Sequence, residues 1–286
     1  MEIKQLERVA SQVRRDIVRM VHGCQSGHPG GSLGCTDLLV ALYFHQMKLK
    51  ETEEGNPVFD MNGTGEDLFF LSNGHISPVW YSVLARRGYF EVPEMATFRK
   101  LNTRLQGHPA THEHLPGIRI ASGSLGQGLS VALGAATAKK LNKDNHLVYC
   151  LMGDGEQQEG QVWEAATFAP HHQVDHLIAF IDLNGQQIDG PTLKVMNNRD
   201  LGAKYLAFGW DVMHIEHGNN MEAIVNGLQE AKGKTGQGKP VMVLLETGMG
   251  YGVDFMMGSH KWHGVAPNDE QLANALAQLE ETMGDY

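Results

Sequence analysis

The sequence predicts an α/β fold, a mainly parallel sheet with helices on both faces, in a single domain spanning residues 1–286. Three observations lead there. Short apolar runs alternate with amphipathic helical patterns along the whole chain, with no linker or break in composition between them. Residues 150–190 hold a strand, a helix and a second strand, about the size of one βαβ unit. Several of the apolar runs end in glycine-rich or polar turns, which a parallel sheet collects along one edge.

Taken in order, Ile3, Leu6, Val9, Val13, Ile17 and Met20 share one face of a helix over 3–21, which Gly23 is expected to end. Residues 26–34, SGHPGGSLG, read as a rigid Gly/Pro loop. Thr36 or Asp37 is placed to cap the next helix, with the apolar run Leu38 to Phe44 buried. Residues 48–66 form a surface loop, and 67–72 a strand ending in Asn73-Gly74-His75. A helix with Val79, Trp80, Val83 and Leu84 inward closes at Gly88, and 93–101 is a further short helix. After a long loop over 106–120, the GSLGQG turn at 123–128 opens a helix burying Leu129, Ala132, Leu133, Ala136 and Leu141. The central unit follows: a strand over 146–152, the turn Gly153-Asp154-Gly155, a helix with Val162, Ala165, Ala166 and Ala169 inward, and a strand over 177–183 ending in Asn184-Gly185. Residues 190–198 read as a loop, 200–208 as a helix, 210–215 as a strand and 221–231 as a helix. The strand over 241–245 runs into the glycine-rich loop 247–252, and an amphipathic helix over 269–283 closes the chain.

A net charge of −10 argues against a nucleic-acid partner, and 42% apolar residues suffice for a sizeable core. Three cysteines, Cys24, Cys35 and Cys150, have no metal-binding spacing; few and odd in number, they suggest reduced thiols in the cytoplasm. The N-terminus lacks the apolar core of a signal peptide, and no stretch approaches the ~20 apolar residues of a membrane span.

The chemistry follows from the topology. Parallel strands bring Asp154 and Asn184, each just past a strand end, to the same edge, where open α/β sheets bind ligands. A carboxylate, an amide oxygen and turn carbonyls are hard ligands suited to Mg²⁺ or Ca²⁺, which leaves room for phosphate oxygens of a cofactor. Gly155 lets the backbone come close to a diphosphate. Four histidines, His28, His75, His108 and His263, sit in glycine-rich loops that can meet over that crevice, where imidazoles can donate to phosphate and hydroxyl oxygens and move protons. The remaining histidines read as structural, and the spacing of His108, His112 and His114 is a weak metal signal.

The motifs SGHPGG, LSNGH, QGHPA, GSLGQG, GDGEQQEG, DLNGQQIDG and HKWHG, in this order over 26–264, resemble the N-terminal, diphosphate-binding half of transketolase. The resemblance implies thiamine diphosphate, with its metal held by Asp154, Asn184 and the backbone of Gln186. It also implies that His75 and His263 touch the diphosphate alongside Gly153 and Gly155. Gly123, Leu125 and Met249 would then flank the thiazolium ring, and Glu159 would link the two sites of a dimer. His28, His108 and His263 would line the sugar channel as the catalytic histidines. Two departures bear on the substrate: GSLGQG stands where the family usually has GPLGQG, and Glu246 where many members have lysine. Full transketolases continue into a pyrimidine-binding and a C-terminal domain. The resemblance therefore implies a split enzyme: this chain with a second subunit that carries the pyrimidine-binding domain, two of each in an α2β2 assembly, acting on sugar phosphates. The alternatives are a subunit of another carboligase or 2-oxo-acid decarboxylating enzyme, and a non-catalytic cofactor-binding scaffold.

Overall fold

The computed structural model describes all residues from Met1 to Tyr286. Five strands make one fully parallel sheet: β1 (Leu68–Leu71), β2 (Val148–Gly153), β3 (Leu177–Leu183), β6 (Asp211–Ile215) and β7 (Val241–Glu246), in the order β1-β2-β3-β7-β6. The two-residue strands β4 (Gln186–Gln187) and β5 (Gly190–Pro191) pair as a small antiparallel hairpin just after β3. The central strands are buried on both faces, so they are near-continuous apolar runs such as VYCLMG and LIAFIDL.

Ten α-helices cover the sheet: α1 (Ile3–Cys24), α2 (Pro29–Gly34), α3 (Thr36–Ala41), α4 (Ser77–Arg87), α5 (Gly128–Leu141), α6 (Gly160–His171), α7 (Thr192–Val195), α8 (Leu201–Phe208), α9 (Met221–Lys234) and α10 (Asp269–Gln278). From β1 through β2 and β3 to β6 the chain moves one way across the sheet, and then turns back to insert β7. Right-handed crossovers put connections of opposite direction on opposite faces. Accordingly α5, α6 and α8 pack side by side, while α9 joins α1, α3 and α4 on the other face. Helices on both faces of a parallel sheet are what the alternating pattern predicts.

Several local expectations are corrected. The helix α1 runs past Gly23 to Cys24 and is closed by Gln25 in a left-handed conformation. The Gly/Pro stretch holds the short helix α2, begun by Pro29, because its glycines let it press against its surroundings: a Cβ on Gly31 would meet Ile76 at 2.8 Å and one on Gly34 would meet the Gly248 carbonyl at 3.1 Å. Neither Thr36 nor Asp37 caps α3; Thr36 donates to the Ser32 carbonyl at 2.9 Å and Asp37 pairs with Arg14. Residues 92–97 form a 3₁₀ turn instead of an α-helix, and residues 190–198 contain β5 and α7. Leu141 is 78% exposed at the end of α5 instead of buried. The last helix stops at Gln278, after which the chain folds back along α1.

Candidate functional site

The parallel register sets the floor of the site. Gly153 pairs with Asp182, so β2 and β3 end side by side and Asp154 and Asn184 each stand one residue beyond. Asp154 is buried and its two oxygens accept from the Gly155 amide at 2.7 Å and the Gly185 amide at 2.8 Å. Asn184 Oδ1 accepts from the Gln186 amide at 2.9 Å, and its Nδ2 donates to Asp182 at 2.7 Å. Asp182, buried on β3, also accepts from the Thr247 hydroxyl. Burial and the neighbouring Asp182 charge push the Asp154 carboxyl up to about 7. No salt bridge reaches either carboxylate. Nor does any cluster of three or more His, Cys, Asp or Glu side chains suited to a metal occur in the structure. A cation at this edge would therefore draw on amide and backbone oxygens beside Asp154.

Two acids of this floor escape a reading of the sequence. Asp182 lies inside an apolar strand pattern, and Glu156 reads as part of a polar turn. Glu156 is 2% exposed and ties three segments together: it accepts from the Gly153 amide at 3.0 Å, from the Gly126 amide at 2.8 Å and from the Ser72 hydroxyl. It thus fixes the GSLGQG turn to the ends of β1 and β2. The one signal for it in the sequence is a carboxylate two residues after Asp154.

Imidazoles from four separate segments meet above this floor. Ring centroids of His28 and His75 lie 5.0 Å apart, those of His75 and His263 5.0 Å, those of His28 and His263 5.6 Å, and those of His28 and His108 6.4 Å. Burial pushes the His28 imidazole down to about 4, aided by His263, Arg99 and His108; burial also depresses His75, His108 and His263. The four rings are therefore neutral near pH 7, each with one N–H and one lone pair. Nδ1 of His28, Nδ1 of His263 and Oδ1 of Asn73 are buried and have no hydrogen-bond partner. Buried polar atoms are rarely left so, and these three sit at one place.

Between floor and imidazoles lies a cavity of about 380 Å³, onto which His28, His75, Gly123, Leu125, Gly153, Asp154, Gly155, Glu159, Asn184, Gln186, Met249 and His263 all open. Of the residues singled out in the sequence, His108 alone stands outside its lining, against Gly123, where a Cβ would come 3.1 Å from its ring. Glu159 is exposed at the start of α6. His112 pairs with Glu113 at 3.2 Å, away from the other rings, and Glu246 pairs with His214 at 2.9 Å on the outer side of β7.

Comparison with known proteins gives this arrangement its family. Residues 5–282 match the model of the transketolase thiamine diphosphate-binding domain. The chain is 38% identical over 276 residues to the 6-deoxy-6-sulfo-D-fructose transketolase subunit of a Clostridium species, covering 96% of each. It is 35% identical over 281 residues to an apulose-4-phosphate transketolase subunit of Phocaeicola vulgatus, covering 98% of this chain and 96% of the relative. Transketolase from Campylobacter jejuni superposes with a TM-score of 0.86 at 31% identity, over 98% of this chain but 43% of the larger one. The chain belongs to the transketolase family and corresponds to its N-terminal, thiamine diphosphate-binding part.

Proposed function

We propose that this chain is the cofactor-binding subunit of a two-chain transketolase, dependent on thiamine diphosphate and Mg²⁺, that passes a two-carbon ketol unit from a ketose phosphate to an aldose. The observation that carries the reading is the pairing of an uncompensated buried carboxylate, Asp154, with two orphaned imidazole nitrogens across one cavity. The residues fit the cofactor on both counts. The carboxylate and amide oxygens suit a hard cation, and the imidazoles suit anionic and hydroxyl oxygens. Gly153 and Gly155 keep the floor free of side chains where a diphosphate would lie.

Asp154, Asn184 and the Gln186 carbonyl would hold the cation, with Ca²⁺ as a substitute for Mg²⁺. His75 and His263 would donate to the diphosphate, and Gly123, Leu125 and Met249 would flank the thiazolium. Bound there, thiamine diphosphate supplies the electron sink that lets a ketol unit leave one sugar and join another. The chain's own part is proton handling. Neutral His28, His108 and His263 can take a proton from a sugar hydroxyl and return it, an effect worth ~10²–10⁴ in rate when well aligned. His28 and His263 line the cavity, and the Nδ1 atom of each has no partner within the chain.

Relatives of the same length that are named as subunits support a second chain. That chain would bring the pyrimidine-binding domain in an α2β2 assembly, with the exposed Glu159 directed at it. The test is ketol transfer from xylulose 5-phosphate to ribose 5-phosphate, with thiamine diphosphate and Mg²⁺, by the chain alone and co-expressed with its genomic neighbour. Activity in the pair alone is expected. Activity in the pair that survives replacement of His28, His108 and His263 by alanine would overturn the catalytic roles. Activity of the chain alone would overturn the two-chain reading.

A further inference from the structure

Arg99 lies outside the cavity and has no role in the reading above. Its guanidinium reaches two loops that are far apart in sequence. Nη1 donates to the Ser26 hydroxyl at 3.1 Å, two residues before His28, and Nη2 donates to the Gly107 carbonyl at 3.4 Å, one residue before His108. The fit is tight. A Cβ on Gly107 would come 2.6 Å from Cζ and 2.8 Å from Nε of Arg99, so this position must be glycine for the guanidinium to lie there. Phe98 completes the contact from the same turn. It is 1% exposed, and its ring edge would be 3.4 Å from a Cβ on Gly27. Arg99 itself has φ +56°, a left-handed conformation uncommon for a residue with a side chain, and its amide donates to the Leu105 carbonyl at 2.9 Å. No hydrogen bond runs directly between the His28 loop and the His108 loop, so the guanidinium is what bridges them.

We propose that Arg99 is a positioning residue: its guanidinium fork ties the loop of residues 26–28 to that of residues 107–108, so that the His28 and His108 rings are held with their centroids 6.4 Å apart. The function of these two imidazoles rests on the ketol-transfer reading; the tether does not. Its charge acts in the same sense as its geometry. The titratable and charged groups facing His28 are His75, His108, His263 and Arg99, and those facing His108 are His28, His75 and Arg99. Burial is the larger cause that keeps both rings neutral, and a fixed cation beside them adds to it.

The experiment is an NMR titration of the histidine Cε1–H signals in the full chain, without partner or sugar, for wild type, Arg99→Met, Arg99→Lys and Ser26→Ala. Circular dichroism is recorded alongside, and His214 serves as a distant reference. Arg99→Met is expected to move the His28 and His108 resonances and raise both midpoints, leaving His214 in place. Lysine keeps the charge without the planar fork, so it should restore the midpoints and not the resonance positions. Ser26→Ala cuts one arm alone, so His28 should move and His108 should not; this variant keeps the test decisive if Arg99→Met fails to fold. In the assembled enzyme Arg99→Met should lower kcat by up to ~10²-fold while thiamine diphosphate affinity stays unchanged. A folded Arg99→Met whose His28 and His108 keep their wild-type resonances and midpoints, or a folded Ser26→Ala whose His28 resonance stays in place, would overturn the tether. A silent assembled enzyme in which these histidines still shift would instead retire the ketol-transfer reading and leave the tether standing.

Discussion

The ligand edge of the sheet and the clasp between α1 and the C-terminal tail are both rich in buried charge, and they treat it in opposite ways. In the clasp the carboxylates of Asp16 and Asp285 each meet an arginine. Asp16, fully buried, accepts from Arg86 Nε and Nη2 at 2.8 Å each and from the Ser82 hydroxyl at 2.8 Å. Arg15 donates to both oxygens of Asp285 at 2.9 and 2.6 Å and to the carbonyls of Leu276 and Leu279, and Arg86 reaches the Gly284 carbonyl at 2.9 Å. At the ligand edge Asp154 and Asp182 stand together with no cation, and three polar atoms lack partners. Carboxylates paired with a cation within the chain serve the fold; the carboxylate pair left without one is matched to something the chain binds.

The largest effect should come from breaking this contrast at both ends. Asp16→Ala leaves the Arg86 guanidinium, whose side chain is 4% exposed, without its carboxylate, and should cost about 3–5 kcal/mol in urea unfolding. Asp154→Asn removes one of two adjacent like charges and sets an amide N–H₂ against the Gly155 or Gly185 amide. The two effects offset, so the cofactor-free chain should lose far less stability than with Asp16→Ala, while Mg²⁺-dependent thiamine diphosphate binding is lost. If Asp154→Asn destabilised the chain as much as Asp16→Ala, Asp154 would be a structural charge and the contrast would fail.

A smaller effect is expected one step behind the floor. Asp182 aims Asn184 through the 2.7 Å bond from its Nδ2 and is itself held by the Thr247 hydroxyl. Asp182→Asn would set an amide N–H₂ against these donors and turn the Asn184 amide. Apparent Mg²⁺ affinity, read from metal titrations of thiamine diphosphate binding, should fall about 10–100-fold. An unchanged affinity would show that Asn184 keeps its orientation without Asp182.

The two regions were also unequally legible in the sequence. The ligand edge was readable because its signals are local: an apolar run, then a glycine-bearing turn with a carboxylate, amide or imidazole, repeated after β1, β2 and β3, with a further glycine-rich loop after β7. Parallel topology alone then brings those turns together. What the edge hid was Asp182 and Glu156, whose importance lies in bonds across strands and loops that no spacing reveals. The clasp was unreadable for the same reason. Residues 279–283 carry a helical pattern, yet Thr282 and Met283 give their amides to Gln12 at 3.0 Å, 270 residues earlier in the chain. The helix α2 was missed because glycine and proline argue against helix locally, while the close approach of Ile76 and Gly248 requires those glycines.

Acid should separate the two regions with the gentlest perturbation. In the folded chain His28 is held down to about 4, against an ordinary value of 6.5, mainly by burial, so between these values the unfolded or locally opened state binds the proton first. Stability then rises with pH across that window, and is lost as pH falls from 6.5 towards 4. Depressed His75, His108 and His263 act in the same direction. Asp285 has the opposite dependence on its charged form: its hydrogen bond from Arg15 pushes it down to about 2 from 3.8, so its contribution persists above 3.8 and is lost only as pH falls towards 2. Hydrogen exchange on the cofactor-free chain at pH 7, 5.5 and 4.5, corrected for intrinsic rates, should therefore show protection falling in residues 26–34 and 106–122 while residues 279–286 and the facing turns of α1 keep theirs. Equal loss in both regions would mean that the histidine cluster and the clasp open as one unit, and that the unsatisfied edge is not the softer part of the molecule.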